Sequence, residues 1–252
     1  MSADTPWPFP FWIAHRGAGK LAPENTLAAF RLGAAHGYRA FECDVKLSAD
    51  EQPFLLHDAT LERTSNGQGT AGALRWDALS RLDAGTWHGP AYAGEPLPSL
   101  QVIAAYVQAH GFALNIEIKP TPGTEAATGE AVANACTRLW AGSSAALLFS
   151  SFQPAALQAA QAHAPLIPRA LLLDTLWPNW LDVARSLACV AVVCNHRLMN
   201  AALMADLQAA GLRALCYTVN DAADARRLLG LGVHGLITDA VDGFAPVEGV
   251  VS

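Results

Sequence analysis

The chain has 252 residues, 52% hydrophobic and only 15% charged, a balance that builds a large buried core and excludes a disordered or filamentous protein. Its net charge is −6, from 22 acidic and 16 basic residues. With no run of Lys or Arg, a basic face for nucleic acid is excluded, whereas a small anionic substrate needs only one or two local cations.

The opening segment MSADTPWPFPFW lacks a basic region followed by an apolar one, so it does not read as a secretory signal. Apolar stretches such as 188–194 are too short to cross a bilayer. The five cysteines form no C-x-x-C pair and lie mostly in apolar runs, the pattern of buried thiols in a reducing compartment. A cytoplasmic protein with no membrane insertion is expected.

Short apolar or β-branched runs that end in polar residues predict strands at 12–15, 41–44, 54–57, 114–119, 147–151, 170–174, 190–195, 215–220 and 236–239. Ala/Leu-rich segments with helical spacing lie between most of them, at 26–36, 100–110, 126–140, 154–163, 180–187, 201–210 and 222–229. Such alternation argues for a parallel α/β fold. Nine strands is one too many for an eight-stranded barrel. The gap 45–53 is too short for a helical crossover, so 54–57 is predicted as the return arm of a hairpin turning near 49–51, bringing His57 roughly level with Glu42. Eight parallel strands remain, and residues 58–98, without a strong period, become an insertion over the barrel mouth. The whole chain, 1–252, is read as one (β/α)8 barrel domain carrying that insertion.

In such a barrel the carboxyl ends of the strands converge on one site. Here they carry His15-Arg16, Glu42, Asp44, Glu117, Lys119, Ser151, Asn195, Asn220 and Asp239. In the run 115–119, strand alternation sets Asn115, Glu117 and Lys119 on one face and two isoleucines on the other. Glu117 and Lys119 are either a buried ion pair or part of a site. The run 41–44 repeats the pattern with Glu42 and Asp44. Two carboxylates on one face repel unless a cation lies between them or one is protonated. With Glu117 they make three oxygen ligands, the composition suited to Mg²⁺ or Ca²⁺; the alternative is a metal-free cluster neutralised by Arg16 and Lys119. His15 and His57 supply imidazoles near that cluster, suited to proton transfer near neutral pH. Gly17 allows a tight turn. Thr26 is read as the cap of the first helix, and Glu24 and Asn25 either face the site or only open that helix. Phe152 and Tyr217, at strand ends, are candidates for a pocket wall. Trp140, Trp177 and Trp180 read as helix packing, His36, His110, His163 and His234 as surface residues, and His88 and His196 as candidates for the mouth. No G-x-S-x-G, Walker or G-x-G-x-x-G motif is present, which excludes the serine hydrolase, NTPase and dinucleotide readings.

The segments AHRGAGKLAPENTLAAF (14–30), ECDVKLSAD (42–50), LLHDATLERTSNGQG (55–69), NIEIKP (115–120), SSF (150–152), YTVN (217–220) and GLITD (235–239) resemble the glycerophosphodiester phosphodiesterases over nearly the whole chain. The GKLAPENTLAA and LERTSNG wording is that of bacterial cytoplasmic members associated with glycerol-3-phosphate uptake. The resemblance implies a TIM barrel with an insertion after the second strand. It implies His15 and His57 as general base and acid, Glu42, Asp44 and Glu117 as ligands of a divalent metal ion, and Arg16 and Lys119 at the phosphate. The implied reaction splits a small glycerophosphodiester, such as glycerophosphocholine or glycerophosphoethanolamine, into sn-glycerol 3-phosphate and an alcohol. The attacker is water or the glycerol 2-hydroxyl. Two departures stand out: Asp50-Glu51 replaces the family's frequent Asp-Gly at the hairpin turn, and Tyr217 replaces a common Trp. Two rival readings share these residues, a lyase of sphingomyelinase D type acting on membrane lipids and a non-catalytic glycerophosphodiester-binding protein.

Overall fold

The computed structural model describes residues 7–246; residues 1–6 of the opening segment and 247–252 lie outside the described residues. Along the chain run β1 (Trp12–Ala14), α1 (Leu27–Ala35), β2 (Ala40–Leu47), β3 (Pro53–Leu55), α2 (Trp76–Leu79), α3 (Leu100–Ala109), β4 (Ala113–Ile118), α4 (Glu125–Leu139), β5 (Leu147–Ser151), α5 (Pro154–His163), β6 (Arg169–Leu173), α6 (Trp180–Ser186), β7 (Ala191–Asn195), α7 (Ala201–Ala209), β8 (Arg213–Tyr217), α8 (Ala222–Leu231) and β9 (Gly235–Thr238). The sheet order is β1-β9-β8-β7-β6-β5-β4-β2-β3, and β1 also pairs with β2. Strands β1, β2 and β4 to β9 thus close a parallel eight-stranded barrel, and β3 is the antiparallel extra strand. The predicted fold class holds.

Local signals account for the boundaries. Thr26 caps α1, its Oγ1 accepting from the Ala29 N–H at 3.2 Å, and Ser99 and Asp221 cap α3 and α8 in the same way, each satisfying an otherwise unpaired N–H. The hairpin pairs Val45 with Leu55 and Leu47 with Pro53. The Leu56 N–H donates to the Asp44 carbonyl, so His57 lies about one residue nearer to Asp44 than expected. The turn carries Glu51 in the left-handed region at φ +61°, the conformation that favours glycine.

Period-two alternation divides the barrel strands between two environments. Phe41, Cys43, Val45, Ile116 and Ile118 pack outward against the helices with Val132, Ala133 and Cys136 of α4, and a second cluster fills the space behind β6 to β9. Inward, Ile13, Leu148, Ala170, Leu172, Val193, Leu215 and Ile237 form the apolar barrel interior. All five cysteines are buried and unpaired. Trp140 joins the first outer cluster, and Trp177 and Trp180 the second, the packing role expected of them.

Residues 58–98 hold two single 3₁₀ turns, at Ala71–Ala73 and Pro90–Tyr92, besides α2. They gather around Phe54, Leu56, Leu61, Ala71, Leu79 and Leu97. This stretch grips the first turn of α1 and the segment before it: Glu95 Oε1 accepts from the Ala28 N–H (2.9 Å), and the Tyr92 hydroxyl donates to the Leu21 carbonyl (3.3 Å). His36, His110 and His163 are exposed. His234 corrects the surface reading: it is half-buried, and its Nδ1 accepts from the Ala214 N–H while its own N–H donates to the Ala214 carbonyl. Among the described residues no helix is long and apolar enough to cross a membrane.

Candidate active site

His15 stands one residue past β1, its N–H held by the Thr238 carbonyl at 3.0 Å. A carboxylate only accepts, so the 2.6 Å contact between His15 Nδ1 and Asp239 Oδ1 is donation by the ring. Nε2 is left 3.7 Å from Glu42 Oε2. Asp239 is braced in turn by Asn220, whose Nδ2 reaches its Oδ2 at 3.1 Å and whose Oδ1 accepts its N–H at 2.8 Å. Gly19 lies against this loop so closely that a Cβ there would stand 2.2 Å from the Asp239 carbonyl oxygen.

Arg16 follows in a left-handed conformation (φ +50°). Its backbone N–H donates to Glu42 (3.2 Å), its Nη1 to Glu24 (2.8 Å), and its Nε lies 3.1 Å from Asp44 Oδ2. Asn25, at φ +59° and 2% exposed, grips Asp44 twice: its Nδ2 donates to Asp44 Oδ2 (2.8 Å), and its Oδ1 accepts from the Asp44 N–H (3.1 Å). Glu24 and Asn25 therefore face the site, and α1 takes Thr26 alone as its cap.

Glu42, Asp44 and Glu117 each offer a buried carboxylate oxygen within 4.8 Å of the others. Lys119 Nζ donates to Glu117 (3.0 Å) and lies 3.4 Å from Asp44 Oδ1; that oxygen makes no hydrogen bond. The Lys46 ammonium, itself buried, donates to the Lys119 carbonyl at 3.1 Å. Burial, with Asp44 and Glu117 alongside, pushes Glu42 up to about 8. Burial and Asp44 likewise raise Glu117. Burial would raise Asp44 too, but Arg16, Lys119 and the Asn25 hydrogen bond outweigh it and hold the acid well below the usual range. Three buried carboxylates leave a deficit of positive charge that Arg16, Lys119 and Lys46 do not make up, as the raised Glu42 and Glu117 show. A hard divalent ion bound through oxygen fits this donor set and would remove it.

His57, just past β3, donates from Nδ1 to its neighbour Asp58 (2.6 Å). Arg63 donates to Asp58 and, through both terminal nitrogens, to Glu24 at 2.7 and 2.8 Å. One chain of charges therefore runs His57–Asp58–Arg63–Glu24–Arg16. Phe152 and Tyr217 meet edge to face at 5.9 Å between centroids, and the Tyr217 hydroxyl donates to the Leu173 carbonyl.

His15, Arg16, Glu42, His57, Glu117, Lys119, Phe152 and Tyr217 line one cavity of about 300 Å³ at the carboxyl ends of the strands. Asp44 lies behind it, 1% exposed. An adjoining cavity carries Lys20, Arg63, Trp87 and His88 beside His15 and Asp239. Other strand-end residues serve the backbone: Ser151 donates to the Ile118 carbonyl, and Asn195 holds Asp174 and the Arg197 N–H. His196 lies toward Asp224 instead of the cavity. Sequence reasoning assigned no role to Asp58, Arg63 or Lys46, and none to Asp239 as the partner of His15. The adjacency of His57 and Asp58 was a usable signal, whereas nothing local marks a contact 224 residues apart.

The profile of the Glycerophosphoryl diester phosphodiesterase family matches residues 15–243. The Bacillus subtilis protein YhdW is 33% identical over 236 residues, 91% of this chain and 94% of that protein. The glycerophosphodiester phosphodiesterase of Caldanaerobacter subterraneus subsp. tengcongensis is 30% identical over 233 residues, 90% and 93% of the two chains. Among solved structures, an Oleispira antarctica phosphodiesterase in complex with the product sn-glycerol-3-phosphate superposes with a TM-score of 0.86 at 32% identity, over 93% of this chain and 95% of that one. The chain belongs to the glycerophosphoryl diester phosphodiesterase family and is an enzyme of the phosphoric diester hydrolase class.

Proposed function

We propose that the cavity hydrolyses small glycerophosphodiesters, such as glycerophosphocholine or glycerophosphoethanolamine, to sn-glycerol 3-phosphate and the free alcohol, using His15 and His57 with a divalent cation, Mg²⁺ or Ca²⁺. One observation carries this reading: two imidazoles, each tied through Nδ1 to a carboxylate, share a cavity with two cations and with Glu42 and Glu117, the two cavity-lining members of a buried three-carboxylate cluster. The product bound by the Oleispira antarctica relative supports glycerol 3-phosphate as the retained half. The buried, unpaired cysteines support a reducing, cytoplasmic setting.

Glu42, Asp44 and Glu117 would hold the cation, which when bound supplies Lewis-acid charge to a phosphate oxygen. The Arg16 guanidinium and Lys119 ammonium bind the remaining phosphate oxygens and neutralise charge that builds as the new P–O bond forms. Tethered Nδ1 atoms leave Nε2 of each ring for proton exchange. One imidazole takes the proton of the attacking oxygen, and the other protonates the alkoxide as its P–O bond breaks. Asn25 and Glu24 keep Asp44 and Arg16 in place, while Phe152 and Tyr217 wall the cavity.

The test is a metal-stripped preparation assayed with both diesters, restoring Mg²⁺ and Ca²⁺ in turn. Turnover should return with one or both ions and release glycerol 3-phosphate. Cyclic phosphate as the final product would favour the lyase reading instead. His15→Ala and His57→Ala should each lose at least ~10²-fold in rate; undiminished turnover by either removes it from the mechanism. An unchanged metal dependence in Glu117→Gln excludes Glu117 as a ligand.

A further inference from the structure

The inward wall of the barrel is apolar over β5 to β9, with Leu148, Ala170, Leu172, Val193, Leu215 and Ile237. Two polar side chains, Asn115 on β4 and Ser150 on β5, stand between this wall and the carboxylates. Asn115 is the register partner of Glu42 on β2, and Ser150 is the register partner of Glu117 on β4. Both are 0% exposed and both line the cavity. Neither side-chain atom of Asn115, Oδ1 or Nδ2, has a hydrogen-bond partner, and neither does Ser150 Oγ.

Buried polar groups without partners are costly, and apolar side chains of the same shape would sit there more favourably. Such groups persist where another state of the site uses them. The neighbouring carboxylates are under-supplied with donors in a matching way. Glu42 accepts a hydrogen bond from the Arg16 N–H, and Glu117 accepts one from Lys119. A carboxylate that turns one oxygen to a cation needs a donor to fix the other.

We propose that Asn115 and Ser150 are positioning residues for the metal-binding carboxylates: in the metal-bound state Asn115 Nδ2 donates to Glu42, and Ser150 Oγ donates to Glu117. The proposal rests on the reading of Glu42, Asp44 and Glu117 as metal ligands. It explains why a buried amide and a buried hydroxyl without protein partners stand beside the carboxylates.

The experiment is calorimetric titration of Mg²⁺ and of Ca²⁺ into the metal-free full-length protein and its Asn115→Leu, Asn115→Asp and Ser150→Ala variants, with the metal-free Tm of each. Asn115→Leu and Ser150→Ala should bind about 10- to 100-fold more weakly, while their metal-free Tm holds or rises because an unpaired buried group has been removed. Asn115→Asp, which keeps an oxygen but loses the donor, should also bind more weakly. Wild-type affinity in the Leu and Ala variants overturns the proposal. So does a metal-free Tm that falls together with affinity, which marks a purely structural role. Undiminished affinity in Asn115→Asp makes residue 115 a direct oxygen ligand and overturns it as well. Absence of binding in the unaltered protein defeats the metal site itself, and that outcome is seen before any variant is compared.

Discussion

Each histidine of the cavity has its Nδ1 committed to a carboxylate, but the two partners arrive by different routes. Asp58 is the next residue after His57, whereas Asp239 comes from beyond the last strand. The surroundings push the two rings apart. Burial disfavours a charged His15, yet the Asp239 hydrogen bond and the Glu42 charge raise its pKa. Burial lowers His57, and the charges of Arg16 and Lys119 add to that effect against Asp44. Imidazoles held in different protonation tendencies suit opposite halves of a proton exchange. Asp58→Asn and Asp239→Asn should each lower kcat at least ~10-fold with little change in Tm, because the amide no longer fixes the ring's tautomer and orientation. Steady-state kinetics with glycerophosphocholine checks this, and an unaltered kcat in both would dismiss the tethers.

At the scale of elements, the hairpin β2–β3 brings His57 to the carboxylates of β2, and its turn stores a local cost. Glu51 adopts φ +61° with an exposed side chain. Glycine accepts that conformation without the Cβ clash. Glu51→Gly should therefore stabilise the protein by about 0.5–1 kcal/mol, or about 1–4 °C in Tm for a chain of this size, with activity unchanged. A fall in Tm by calorimetry would show that Glu51 makes a contact worth more than the strain. The loop before α1 presents the reverse case. Gly19 abuts the backbone that presents Asp239, so Gly19→Ala should displace the partner of His15 and depress kcat along with Tm. Retention of both would mean the loop yields without moving Asp239.

For the whole molecule, the carboxylate cluster links stability to pH and to metal. Glu42 in the folded protein titrates at about 8, against 4.5 as its ordinary value. Its folded form binds the proton more tightly than the unfolded chain does, so its contribution is fully present below about 4.5 and is lost as pH rises toward about 8. Metal-free protein should accordingly lose Tm across that window, and Glu42→Gln should flatten the slope. Cation binding requires the ionised carboxylate and so releases a proton. Near neutral pH, Mg²⁺ or Ca²⁺ titrations in buffers of different ionisation enthalpy should therefore reveal proton release. A binding heat independent of buffer would contradict the raised Glu42.

Much of this architecture follows from short-range regularities. Alternation along β4 sends Ile116 and Ile118 outward and Asn115 and Glu117 inward whatever the rest of the chain does, because successive side chains of a strand point to opposite sides. The short gap after Asp44 demands a hairpin for the same kind of local reason, and residue types at the strand ends point to a carboxylate cluster and two proton-transferring imidazoles, roles that the family resemblance also implies. Closure of the barrel decided the remainder. Pairing β1 with both β9 and β2 brings Asp239 to His15, and the grip of residues 58–98 on the loop before α1 brings Arg63 to Glu24. Asn25 earned its place on Asp44 only through a left-handed turn. Those contacts join residues tens to hundreds of positions apart, where no periodicity carries information and only the path of the folded backbone sets the distance.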